Sequence, residues 1–337
     1  MKSLSGLDSA FLHLETPETP MHVGSLHLVR VPARQRAAYI ERVRSHVAGR
    51  LHLVPVFTRR IASLPFDVAS PVWVEDREVD LRRHIRRVSL SKPGTMAQLE
   101  ALVAKLHAQP LDRERPLWMF HLIEGLASGE VAWYVKIHHA ALDGAAGVKL
   151  AEALLDDSPR GRKIPAPRAR VLDATPGMGD LLQVAIAKSV AEYGKFLRAM
   201  PDAARLVTGG LAALSSLAAP AGGRRRGLPI GPATPFNVPI GAARAFATAS
   251  IPLASVKRIA GRHGAKVNDV VLAMVSGAVR RYFLAKRNLP SQPLVAAMPV
   301  SLRAEGDSIY STRATMVLAN LATHIDDPRE RLEAIRA

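Results

Sequence analysis

His138-His139-Ala140-Ala141-Leu142-Asp143-Gly144 is the stretch on which the reading of this chain turns. Two apolar runs precede it, Leu117 to Glu124 and Val131 to His138, joined by a turn that contains Gly125, Ser128 and Gly129. That close spacing predicts an antiparallel pair of strands. Gly144 to Leu155 follows with helical periodicity. The heptad therefore falls at a strand-to-loop-to-helix junction.

Its residue types suit proton transfer. An imidazole titrates near about pH 6.5 when unperturbed, so it can take a proton from a hydroxyl or thiol at physiological pH. A carboxylate at Asp143 can fix the loop by a salt bridge or cap the following helix, and Gly144 permits close backbone approach. Three readings stay open on spacing alone: acid–base catalysis, a structural histidine pair, or metal ligation. The metal reading lacks a third ligand and any cysteine. A nucleophilic triad has no Gly-x-Ser-x-Gly elbow to support it.

Outward from the heptad, helical periodicity runs through Arg36 to Leu51 and Met96 to Gln109. Ser158 to Gly179 is a connector rich in Pro, Arg and Gly. Leu181 to Met200 reads as an amphipathic helix with Tyr193, Phe196 and Leu197 among its apolar residues. Pro220 to Gly241, with Arg224 to Arg226, reads as an exposed loop. Arg244 to Pro252 alternates like a strand, and Leu253 to His263 is helical and stops at Gly264. Asn268 stands where it would cap an apolar helix from Asp269 to Leu284. Leu294 to Val300 and Thr315 to Leu321 are strand-like. Asp327-Pro328 opens a last helix, with Pro at the first helical position. These patterns divide the chain into 1–160, a connector at 161–243, and 244–337. Ending inside a helix at Ala337, the sequence reads as a truncated chain.

Composition narrows the class. With 337 residues and 48% hydrophobic content the chain can bury two cores, and 22% charged residues exclude global disorder. No cysteine is present, which excludes disulfides, a thiolate nucleophile and thiolate-bound zinc, and fits a cytosolic protein. Met1 to Leu12 lacks the pattern of a signal peptide. No run reaches the roughly 18 to 20 apolar residues of a membrane span; Leu206 to Ala219 and Val270 to Val279 read better as buried helices. The net charge of +17 calls for an anionic partner: nucleic acid, anionic lipid or a polyanionic cofactor. Basic pairs at Arg59-Arg60, Arg82-Arg83, Arg86-Arg87 and Arg280-Arg281 are scattered, and aromatics are only 5%. A membrane surface or a CoA-like anion is the better expectation, and nucleic acid is not expected.

The heptad matches the His-His-x-x-x-Asp-Gly signature of the superfamily that resembles chloramphenicol acetyltransferase. Four further blocks choose a branch. Leu4-Ser5-Gly6-Leu7-Asp8-Ser9-Ala10-Phe11, with Glu15-Thr16-Pro17 and Pro20-Met21-His22-Val23-Gly24, resembles the opening of the bacterial wax ester synthase/diacylglycerol acyltransferases. Leu111-Asp112-Arg113 with Pro116-Leu117-Trp118 is similar to that family's Pro-Leu-Trp block. Val267-Asn268-Asp269-Val270-Val271-Leu272 resembles its Asn-Asp helix, and Pro299-Val300-Ser301-Leu302-Arg303 its Pro-Val-Ser-Leu-Arg block. Two departures stand out: Ser311-Thr312 occupies the place near which the family shows Gly-Asn, and the family continues beyond the last helix of this chain.

The resemblance implies a fold of class α/β (α+β), two chloramphenicol acetyltransferase-like domains around a central tunnel, the second incomplete. It implies O-acyl transfer from acyl-CoA, a substrate rather than a bound cofactor, to diacylglycerol or a long-chain alcohol. His139 would be the general base and His138 would set the loop. Asp143 would be structural, with Arg303 as a candidate partner, and Gly144 would complete the motif. Asn268 and Asp269 would support the oxyanion. Pro116, Leu117 and Trp118, like Pro299, Ser301 and Arg303, would be structural, the first three as a strand start in the core. A basic surface suits cytoplasmic placement at the inner membrane or a lipid droplet. Two alternatives are a carrier-dependent, condensation-type acyltransferase and a truncated, non-catalytic lipid-surface protein.

Overall fold

The structure, a computed structural model, describes residues 2–4, 6–62, 71–76, 78–141, 144–158, 161–166, 231–301 and 314–337. Leu142, Asp143, the helix expected at Leu181 to Met200, the Arg224 to Arg226 run, Arg303 and Ser311-Thr312 lie outside these residues. The rest forms two compact units, one of 2–166 with 240–247 and one of 231–239 with 248–301 and 314–337.

In the first unit the chain passes through β1 (Lys2–Ser3), α1 (Gly6–Leu14), β2 (His22–Val29) and α2 (Tyr39–Ala48). It continues with β3 (Arg59–Ala62), β4 (Val72–Glu75), α3 (Leu81–His84) and β5 (Ile85–Ser89). Then come α4 (Met96–Ala108), β6 (Trp118–Glu124), β7 (Val131–His138) and α5 (Gly144–Leu154). The main sheet has the order β2-β7-β6-β5, and a smaller one the order β1-β4-β3. As the two apolar runs predict, β6 and β7 are antiparallel, with Trp118 opposite Ile137. β5 runs parallel to β6, which α4 makes possible as the crossover between them.

Side chains alternate across a strand, so β6 and β7 each feed two layers. Trp118, Phe120, Leu122, Val135 and Ile137 point to one side and pack with Val43 and Val47 of α2 and Leu150 and Leu154 of α5. Ile123, Ala132 and Tyr134 point to the other, where Leu99, Val103 and Leu106 of α4 cover them. A capping box starts α4: the Gln98 amide donates to Thr95 Oγ1 at 3.2 Å, and the Thr95 amide donates to Gln98 Oε1 at 2.8 Å. A buried ion pair, Arg50 Nη2 to Asp156 Oδ2 at 2.7 Å, ties the segment after α2 to that after α5.

The second unit holds α6 (Leu253–Arg262), α7 (Val267–Ala285), β8 (Val295–Ser301), β9 (Ala314–Asn320) and α8 (Pro328–Arg336). β8 and β9 form an antiparallel pair. Val256 and Ala260 of α6, Val270 of α7 and Leu332 of α8 share one small core. Gly264, at φ +58°, turns the chain after α6. Asp327 caps α8 by accepting from the Arg329 and Glu330 amides at 2.7 and 3.0 Å. Among the described residues no helix is long and apolar enough to cross a membrane.

Two local expectations fail. Arg244 to Pro252 forms no strand. Its alternate residues are largely alanine and its side chains are mostly exposed, so neither face has enough apolar area to hold a strand against a sheet. Asn268 is not the cap of its helix either. Helix α7 begins two residues earlier than expected, at Val267, with Lys266 in the cap position and the Asp269 carboxylate accepting from the Lys266 amide at 2.7 Å.

Candidate active site

Strand β7 delivers the histidine pair. Tyr134, Lys136 and His138 share one face, and His138, the last residue of the strand, is fully buried. Its amide donates to the Leu117 carbonyl at 2.9 Å, which locks the end of β7 to the start of β6. Its Nδ1 accepts from the Ala140 amide at 3.0 Å. In the neutral ring the proton therefore sits on Nε2, and that nitrogen faces Glu15 Oε1 at 3.4 Å. The approach is long for a hydrogen bond, and its strength comes from the charge on the carboxylate.

Glu15 is itself nearly enclosed, its side chain 6% exposed. Arg113 grips Oε2 through Nη2 at 2.8 Å and Nε at 3.2 Å, and the Met21 amide donates to Oε1 at 3.0 Å. Burial alone would raise this carboxyl; His138, Arg113 and the Met21 amide overcome it and hold the pKa at about 2. Glu15 is thus an anion throughout the physiological range.

His139 opens a 3-10 turn, His139–Ala141, between β7 and α5. Its amide donates to the Met21 carbonyl at 2.8 Å, and its ring stacks on Phe11 of α1 at 4.1 Å between centroids. The ring is half-buried, and Nδ1 is enclosed without a hydrogen-bond partner. One histidine of the pair is thus committed to holding the loop. The other is anchored by its backbone and by a stacking contact that leaves its nitrogens uncommitted to the frame.

Behind the pair lies a row of buried polar groups under α4. His22 of β2 stands opposite His138 in register and donates from Nε2 to the His107 carbonyl at 2.6 Å. His107 Nδ1 meets the Tyr134 hydroxyl at 2.6 Å. Lys136 Nζ donates to the Leu106 and Gln109 carbonyls at 2.8 and 2.6 Å, neutralising the negative end of α4. Burial brings the Lys136 pKa down to about 8. Burial, with the Lys136 charge adding to it, holds His22 and His121 near 4, so both rings are neutral at physiological pH. Gly24 is required here: a Cβ at that position would meet the Tyr134 hydroxyl at 2.7 Å.

Pro116, Leu117 and Trp118 are buried at the start of β6. The Trp118 indole donates to the Phe57 carbonyl at 3.2 Å and stacks on His84, so this block meets the site through the Leu117 carbonyl and through the apolar cluster that Leu117 shares with Leu12 and Ala140. Gly144 begins α5. Asn268 is exposed in the first turn of α7, and Asp269 is engaged in closing that turn; Pro299 and Ser301 lie in β8, all in the second unit. Glu15 and Arg113 are the residues that motif reading did not single out. Each was visible only as one letter within a longer block, 98 positions apart.

On the opposite face of the sheet from His138, a groove of about 1120 Å3 opens between β2, α2 and α5. Trp133, Val135, Ile137, Leu150 and Leu154 make its walls apolar, with Arg42 and His46 among the polar residues along it. Among the described residues no group of three or more His, Asp or Glu is placed to hold a metal ion.

Residues 4–271 match the family model described as the wax ester synthase/diacylglycerol acyltransferase catalytic domain. The chain belongs to the wax ester synthase/diacylglycerol acyltransferase family. Two Mycobacterium tuberculosis proteins named as diacylglycerol O-acyltransferases are similar to it. One is 35% identical, over 98% of this chain and 71% of its own length; the other is 37% identical, over 99% and 72%. The wax ester synthase/diacylglycerol acyltransferase from Marinobacter aquaeolei VT8 has a similar structure, with a TM-score of 0.67 and 29% identity over 99% of this chain and 70% of that one. A condensation domain of the CDA synthetase shares the fold, with a TM-score of 0.52 at 16% identity over 99% and 74% of the two chains. The mixed α/β class expected from the sequence is the class observed, and the family places the chain among acyltransferases.

Proposed function

We propose that this member of the family transfers a long-chain acyl group from acyl-CoA to the hydroxyl of diacylglycerol or of a long-chain alcohol, with His139 as general base. The observation that carries the reading is the division of labour in the histidine pair. His138 is fully buried, with Nδ1 accepting from the Ala140 amide and Nε2 facing the Glu15 carboxylate at 3.4 Å, whereas His139 is half-buried, seated on Phe11 and fixed through its backbone.

A hydroxyl is a poor nucleophile until its proton is removed. Because Nδ1 of His139 is enclosed, Nε2 is the nitrogen assigned to take that proton. The acceptor oxygen then bonds to the thioester carbonyl carbon, giving a tetrahedral intermediate. Collapse breaks the C–S bond, and the CoA sulfur leaves with the proton held by His139, so atoms and charge balance without a covalent acyl-enzyme. Positioned general-base catalysis typically supplies about 10²- to 10⁴-fold. The developing oxyanion needs hydrogen-bond donors to stabilise it. The net charge of +17 suits both the CoA phosphates and an anionic lipid surface, and peripheral contact with a membrane or lipid droplet is part of the proposal.

The test is thiol release from palmitoyl-CoA with hexadecanol, with dioleoylglycerol, or with neither, followed by mass analysis of the lipid product. Release that depends on an acceptor and yields the matching ester is the expected result. Equal release with and without acceptor, or release without ester, contradicts the proposal.

A further inference from the structure

We propose that Glu15 is a positioning residue for acyl transfer: its carboxylate, gripped by Arg113, fixes the turn that presents His139. The inference rests on the reading of His139 as the base, and it assigns to Glu15 no contact with either substrate.

The carboxylate reaches both histidines by separate routes. The route to His138 is direct, through Nε2 at 3.4 Å, while Nδ1 of the same ring accepts from the Ala140 amide inside the His139–Ala141 turn. The route to His139 runs through one residue: the Met21 amide donates to Glu15 Oε1, and the Met21 carbonyl accepts from the His139 amide at 2.8 Å. Arg113 anchors the far oxygen and also donates to the Leu12 carbonyl at 2.7 Å, at the end of the helix whose Phe11 carries the His139 ring. Helix, turn and both histidines therefore converge on one buried anion.

Apolar side chains would hold these segments together at less cost, since enclosing a carboxylate requires that all its acceptor sites be filled. Orientation is what the carboxylate adds. It faces Arg113, His138 and the Met21 amide directly, and the charge of Lys136 and the neutral ring of His22 act at longer range. A glutamine at this position has a single acceptor oxygen. It can serve Arg113, or the Met21 amide and His138, but not both sides. Loss of either side frees the turn, and displacements of about 1 Å in a reacting group cost on the order of 100-fold in rate.

The experiment compares the wild-type chain with Glu15→Gln, Glu15→Asp, Arg113→Lys and His139→Ala. It measures acceptor-dependent thiol release, thermal unfolding and the 15N shifts of the histidine rings. In Glu15→Gln, kcat is expected to fall about 10- to 100-fold with KM little changed. The His138 nitrogen signals should move, and Glu15→Asp, which keeps the charge, should recover part of the rate. Arg113→Lys keeps Glu15 and loses the two-nitrogen grip, so it should show a smaller loss of the same kind; it serves as the test if Glu15→Gln does not fold. A wild-type kcat in Glu15→Gln or Arg113→Lys, or a loss matched by the fraction unfolded with unmoved His138 signals, overturns the proposal. Full activity in His139→Ala overturns the reading beneath it instead, whatever the Glu15 variants do.

Discussion

The two faces of the β6–β7 pair are built on opposite principles. On one, Trp118, Phe120, Leu122, Val135 and Ile137 meet α2 and α5 through apolar contact. On the other, Tyr134 bonds to His107 and Lys136 to the Leu106 carbonyl at α4, His138 accepts from the Ala140 amide, and His121 is buried against Tyr134. Apolar packing is non-directional, so the first face supplies stability and little orientation. Hydrogen bonds between buried polar groups are directional, and leaving one unmade costs more than making it gains. The second face therefore gives little net stability and much geometry, and it is the face that ends on the histidine pair.

Trp118→Ala should separate the faces most sharply, costing about 3–5 kcal/mol in urea unfolding because it empties a site shared with Phe57, Phe120 and His84. A cost under about 1 kcal/mol would mean that the apolar face does not carry the stability. The polar face should show itself as acid sensitivity. His22 and His121 titrate near 4 when folded and near 6.5 when unfolded. Between those values the unfolded chain binds protons that the folded chain refuses, so stability falls as pH falls through that window, by at most about 1.4 kcal/mol per pH unit for each ring. Below 4.5, protonation of Glu15 in the unfolded chain adds to the loss, because its folded pKa is about 2. His121→Phe should flatten the slope measured between about pH 7 and about pH 5. An unchanged slope would remove His121 from the account.

Smaller effects sharpen the same contrast. Gly24→Ala forces a methyl group against Tyr134 and should destabilise by about 1–3 kcal/mol, readable as a lower melting temperature. Thr95→Ala removes one half of the capping box of α4, the helix that covers the polar face, and should cost about 1 kcal/mol in urea unfolding without altering the pH slope.

The same contrast explains what could be read in advance. β6 and β7 were legible because their apolar residues run almost without a break and the turn between them is short. The helices at Met96 and Leu253 were legible because periodicity and end signals agree. β2 carries no legible strand pattern: its inward face holds His22 and Gly24, so hydrophobic alternation is absent where the polar face begins. Arg244 to Pro252 failed for the converse reason, alternation among residues too small to anchor a strand. In the site, the histidine pair was legible as a motif. The Glu15–Arg113 pair was not, since a contact spanning 98 positions between two ordinary charged residues has no local pattern. The cap of α7 falls on Lys266 and not on Asn268 because helix boundaries shift by a residue or two where several polar residues compete for the cap.

The most direct test of the central claim is kcat for acyl transfer in His139→Ala against wild type, with both proteins shown to unfold at the same temperature. The account predicts a loss of about 10²- to 10⁴-fold in acceptor-dependent thiol release with the fold intact. Retention of the wild-type rate by a folded His139→Ala chain would contradict it.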